Sequence, residues 1–133
     1  MGENMKCYVF SGIAKLIIED IIRRNIRTIE LRSAHNVATA LKVTAGDCVF
    51  LTHSKIRDLE RGVIGLIAEV KGKEVVHQSI FYSSPHYVEE SEFAVVRLKL
   101  NPKGVGRIIQ LKTGDILDAI EAEVVEVTHF SAW

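Results

Sequence analysis

Three features predict a mostly β fold of the α+β class, a small mixed β-barrel or pseudo-barrel with two or three flanking helices. Strand-like runs recur along the chain, helical spacing appears in only two or three stretches, and the two do not alternate as a doubly wound parallel sheet requires. No internal repeat, low-complexity tract or Pro/Gly/Ser linker divides the chain, so residues 1–133 are read as a single domain.

The first element is "KCYVFSG", whose aromatic and β-branched residues suit a pleated, half-buried strand. Ser11 can cap a helix over about residues 12 to 23, with Ile13, Leu16, Ile17 and Ile21 as its buried stripe. "RTIELR" restarts as a strand in which Ile29 and Leu31 face one way and Thr28, Glu30 and Arg32 the other. Ser33 or Asn36 then caps a short helix, "HNVATALK". "AGD" at 45–47 is a turn opening the strand "CVFLTH", because Gly supplies unusual backbone angles and Asp bonds nearby main chain.

After the polar "SKIRDLERG", the nearly all-apolar "VIGLIAEV" is expected to be a central strand, with Gly65 marking a bulge or a close backbone approach. "KGK" at 71–73 reads as a turn into "EVVHQSIFYS"; "AVVRLKL" is a further strand after a loop holding Pro85. Asn101, Pro102 and Gly104 read as another turn, which also accounts for "GVG" without a phosphate cradle. The last segment predicts a strand, a helical turn near Asp115 to Ile120, and a closing strand around Ala122 to Val127.

Hydrophobic residues make up 47% and charged residues 26% of the chain, a balance that excludes intrinsic disorder. No apolar run is long enough to span a bilayer, and "MGENMKCYVF" lacks a basic segment followed by an apolar signal core. The expectation is a cytoplasmic protein with no membrane partner. Cys7 and Cys48 sit in apolar strand-like runs and are read as free, buried thiols that behave as small hydrophobes, with a disulfide between them as the alternative.

Seventeen basic and seventeen acidic residues cancel, so bulk charge gives no general attraction to nucleic acid. Arg97, Lys99, Lys103, Arg107 and Lys112 form a basic stretch, followed by Asp115, Asp118, Glu121, Glu123 and Glu126. Mutual neutralisation between these adjacent segments is expected before a polyanion track. His35, His53, His77, His86 and His129 lack metal-site spacing, so neither metal nor cofactor is assigned.

Chemistry concentrates in "IRTIELRSAHNVATAL", where a strand face carries a hydroxyl, a carboxylate and a guanidinium just before a helix start. Such a corner gathers donors and acceptors for a planar polar ligand. Arg27, Thr28, Glu30, Arg32, Ser33, His35 and Asn36 are the candidate cleft residues, with His53 and Lys55 joining them from the end of "CVFLTHSK". An edge ion pair between Glu30 and Arg32 is the plainer alternative. Phe81, Tyr82 and Tyr87 could stack on a base, although strand aromatics are more often core.

This order of features resembles the ASCH branch of the PUA-like superfamily, through Arg27, Thr28, Glu30, Arg32, the Gly46-Asp47 turn and Gly62. The chain as a whole also resembles an uncharacterised archaeal family known only as a domain of unknown function. The resemblance implies a pseudo-barrel that binds RNA or a nucleotide-like small molecule in a cleft beside the helix after the motif strand. Some ASCH-like proteins resemble amidohydrolases of acylated pyrimidine nucleosides, with Thr as nucleophile where this chain has Glu30. Arg27 also replaces the usual Lys, and an Arg cannot act as a base at neutral pH. Binding is therefore the first reading and no catalytic residue is assigned. A nucleoside-amide hydrolase and a protein-interaction module are the alternatives. The oligomeric state is left open, a homodimer included, and Phe130 and Trp133 are expected to fold back on the barrel or meet a partner.

Overall fold

The computed structural model describes residues 4–24, 27–83, 88–112 and 119–130. Its elements run β1 (Asn4–Phe10), α1 (Lys15–Arg24), β2 (Thr28–Leu31), α2 (Ala34–Lys42), β3 (Cys48–Leu51), β4 (Ile64–Ser83), β5 (Val88–Lys112) and β6 (Glu121–His129), with a single 3-10 turn at Ile56–Asp58. The strand order is β2-β5-β4-β3-β1-β6, and β6 also pairs with β5, so five strands close a ring from which β2 stands out as an edge. β1 and β3 are parallel; the other pairings are antiparallel.

Alternation explains most of these strands. Ile29 and Leu31 are buried while Thr28 and Glu30 are exposed, as a period of two demands. Leu66, Ile67, Ala68 and Val70 are all buried, as expected for a strand covered on both sides. One core cluster joins Phe10, Ile21, Leu31, Val43, Leu51, Val96 and Leu98; a second joins Val9, Phe50, Ile67, Ile108 and Val124. Phe130 packs on the first, and its N–H donates to the Lys103 carbonyl at 2.9 Å, so this aromatic folds back. Trp133 lies outside the described residues.

The largest departure from expectation is the length of β4 and β5. "KGK" is not a turn: Val70 pairs with Leu100 and Gly72 with Lys99, which leaves Lys71 as the extra residue of a bulge. Asn101 to Gly104 is not a turn either. Pro102 opposes Ala68 and Gly104 opposes Ile67, with Lys103 bulged between them, a position where a missing N–H is tolerated. Gly65 marks a close approach, since a Cβ there would lie 2.6 Å from the Leu51 carbonyl oxygen. The expected helical turn near Asp115 falls largely outside the described residues, and the closing strand is present as β6.

Helix α1 starts later than expected. Ser11 does not cap it: the chain first turns through Gly12 at φ 64° and the first helical bonds run to the Ala14 carbonyl, while both main-chain groups of Ser11 bond the Asn36 side chain. The helix buries Ile21 and packs Ile18, while Leu16 is 73% exposed and Ile17 is also exposed, so the expected stripe is rotated. The two cysteines are not free. In-register pairing of Tyr8 with Val49 places the preceding Cys7 beside Cys48, and a disulfide joins them with Cα atoms 4.6 Å apart.

Two members of the basic stretch, Arg97 and Lys103, are ion-paired, with acids of β2 and β4. Lys112 faces Glu121 in register, whereas Arg97 pairs with Glu30 and Glu74, and Lys103 with Glu69.

Candidate functional site

β1 and β3 are parallel neighbours, so the segments after them emerge at the same end. They are tied together there: Gly12 N–H donates to the Ser54 carbonyl at 2.8 Å and Ile13 N–H to the Thr52 carbonyl at 3.0 Å. Asn36 on α2 joins this end, its Oδ1 accepting from Ser11 N–H at 3.2 Å and its Nδ2 donating to the Ser11 carbonyl at 2.9 Å. Ser33 caps α2 by accepting from the Asn36 N–H. At the other helix end Lys73 donates to the carbonyls of Ala40, Leu41 and Val43, which fixes α2 against β4.

Between this platform and β2 lies an open cavity of about 670 Å³. It is lined by residues 28–33, by Ser11 to Ala14 and Ile17, and by His35, Asn36, Lys55 and Ile56. A volume of this size lies within the range of small-molecule sites.

Of the nine residues singled out from the sequence, Thr28, Glu30, Arg32, Ser33, His35, Asn36 and Lys55 line the cavity, and Arg27 and His53 do not. Arg27 precedes β2, its carbonyl accepting from Leu100 N–H. His53 faces a separate groove between Ile18, Ile22 and Ile64, and its Nδ1 donates to the Ile13 carbonyl at 2.9 Å. Asn36 is buried with its amide committed to Ser11, so it shapes the wall. Lys55, exposed, and His35, half-buried, also line the cavity. The side chains of Phe81, Tyr82 and Tyr87 lie outside the described residues.

Arg97 is the residue that sequence reasoning missed. Pairing of β2 with β5 sets Glu30 opposite Arg97, and pairing of β5 with β4 sets Arg97 opposite Glu74. Arg97 Nε donates to Glu30 Oε1 at 2.8 Å, and Arg32 Nη2 donates to Oε2 at 2.9 Å. The sequence showed Arg97 only as part of the basic stretch, inside the run "AVVRLKL" that it shares with Lys99. Hydrogen bonds from Arg97 first, then Arg32, hold the Glu30 carboxyl below its usual range.

The sign of this shift means that any stability from the pair is present above the unfolded carboxylate range and fades as pH falls through the lower folded value. Salt screens it, because the groups are exposed. Replacing Arg97 by Gln is expected to raise the Glu30 pKa toward its ordinary value, read by carboxyl-carbon NMR across an acid titration. An unmoved Glu30 resonance would show that the cross-strand pair does not form.

Among the described residues no group of three or more potential ligating side chains could hold a metal ion. No described helix is long and apolar enough to cross a membrane.

The chain is similar to the uncharacterised protein MJ0105 of the archaeon Methanocaldococcus jannaschii, 30% identical over 112 residues that cover 84% of this chain and 70% of the relative. A family model described as a protein of unknown function, DUF473, matches residues 5–122, a span that takes in β2, α2 and the whole wall of the cavity. On that match and that relative, the chain belongs to the DUF473 family.

Proposed function

We propose that the cavity beside β2 binds an RNA- or nucleotide-like ligand, within a ring of strands of PUA/ASCH type. The observation that carries this reading is convergence: seven residues from two sequence segments, 28–36 and Lys55, chosen for polar chemistry and family resemblance, border one concavity large enough for a nucleotide. Arg32 and Lys55 are the two basic side chains lining it and Glu30 the one acidic, so the site favours an anionic group such as phosphate. Glu30 is a poor general base for hydrolysis, since two guanidiniums stabilise its ionised form. Binding therefore stands ahead of nucleoside-amide hydrolysis.

Titration of the wild type, Arg32→Ala and Lys55→Ala with nucleoside monophosphates and short RNAs tests the proposal. Each substitution is expected to weaken binding by about 1–3 kcal/mol with the fold intact. The salt dependence is expected to be shallow, because few phosphates are neutralised. Equal affinity for all three proteins would remove the cavity from consideration.

A further inference from the structure

A wall of six consecutive residues, 28–33, is informative about which atoms face the cavity. Successive side chains of a strand point to opposite faces, so side chains from one face would contribute only every second residue. Contact with all six, the buried Ile29 and Leu31 included, fits a cavity that reaches the main chain along the edge of β2. Among the described residues that edge is open: β2 ends the strand order and pairs there only with β5.

The register identifies the open groups. Leu100 N–H donates to the Arg27 carbonyl at 2.6 Å, which makes this opposed pair a hydrogen-bonded one. In an antiparallel ladder the pairs alternate, so Ile29 with Leu98 and Leu31 with Val96 also exchange hydrogen bonds, and Thr28 with Lys99 and Glu30 with Arg97 do not. The N–H and C=O groups of Thr28 and Glu30 therefore project away from β5 along the cavity side, and neither residue has another main-chain partner among the described residues. The Glu30 carboxylate, by contrast, is taken up by Arg97 and Arg32.

Resting on the nucleotide reading above, we infer that the base is read by this open main-chain edge, with the Thr28 carbonyl accepting and the Glu30 N–H donating, and that the Glu30 side chain does not read it. The Watson–Crick edge of every nucleobase carries a donor beside an acceptor, and an extended chain offers the complementary pair from positions i and i+2 on one side. Ile17 and Ile56 provide apolar lining for the ring, while Arg32 and Lys55 take the phosphate. The ligand class is a mononucleotide or a single unpaired nucleotide whose Watson–Crick edge is free.

Glu30→Pro removes the outward N–H at a position where proline is tolerated, an edge strand whose N–H points away from its partner. Glu30→Ala removes the same carboxylate and keeps the N–H. With AMP as probe, and with the carboxylate that holds Arg32 absent from both variants, Glu30→Pro is expected to bind at least about tenfold more weakly than Glu30→Ala, the loss of roughly one hydrogen bond. The wild type provides a control that needs no folded variant: AMP methylated on the ring nitrogen of its Watson–Crick edge is expected to bind at least about tenfold more weakly than AMP. Equal binding of AMP and its methylated analogue overturns edge reading and leaves the nucleotide site standing. Equal binding of AMP by Glu30→Ala and Glu30→Pro shows that the Glu30 N–H does not read the base and overturns it likewise. Failure of the wild type to bind any nucleotide overturns both readings.

Discussion

Removal of the Cys7–Cys48 bond is expected to lower folding stability by about 4 kcal/mol, the loop-closure entropy of a segment of this length. The two cysteines are 41 positions apart, so the cross-link denies the unfolded chain a long loop. It joins adjacent parallel strands of the ring, and Cys7 lies buried in the second core cluster. Between them the closed loop holds α1, β2 and α2, the elements that build the cavity. Urea unfolding of the wild type with and without a thiol reductant, alongside a Cys7→Ala/Cys48→Ala double variant, measures the effect. Reduced wild type and double variant should both unfold at clearly lower denaturant. Two titratable thiols in the untreated protein, with no response to reductant, would contradict it.

Asn36→Ala is expected to destabilise the fold by about 2–4 kcal/mol, because two main-chain groups of Ser11 would lose their partner in a buried place, each at about 1–3 kcal/mol. Both ends of the Asn36 amide are used, and Asn36 and Ser11 are each less than a tenth exposed. Ser33→Ala provides a scale, since loss of a helix cap amounts to about 1 kcal/mol. Asn36 holds α2 against the end of β1, so its loss should also weaken AMP binding by displacing the Ser11 wall. A denaturation midpoint within error of wild type would show that Ser11 finds other partners.

One wall of the cavity was legible in the sequence because it is local, whereas the lining from Ser11 to Ile17 was not. Thr28, Glu30 and Arg32 alternate with Ile29 and Leu31, and the Ser33 cap follows at once, so face and helix start can be read within eight residues. Contacts across strands were not legible. Arg97 reaches Glu30 only through the β2–β5 register, and the Cys7–Cys48 bond needs β1 and β3 side by side. Residues after Cys48 misled differently: Lys55 reaches the cavity, whereas His53, two positions earlier, faces the other groove.

The long β4–β5 hairpin was broken up for a physical reason. Gly72, Pro102 and Gly104 are turn residues by composition, but bulges use the same chemistry to bend a strand without ending it. Gly104 also lies so close to the Thr128 carbonyl that no side chain fits there, a demand set by β6 and invisible in the local sequence. For α1, the apolar positions suited a buried stripe through Leu16 and Ile17, but the turn at Gly12 delays the helix and brings Ile18 and Ile21 inward. Ile17 is thereby left on the wall of the cavity.

The most direct test of the binding site is an amide NMR titration of the wild-type chain with AMP. A ligand in the cavity should shift the resonances of residues 28–36, of Gly12 to Ile17 and of Lys55 together, in a saturable way, with the Thr28 and Glu30 amides among those most affected. Shifts confined to the groove around His53 and Ile64, or no saturable shifts at all, would contradict a nucleotide site beside β2.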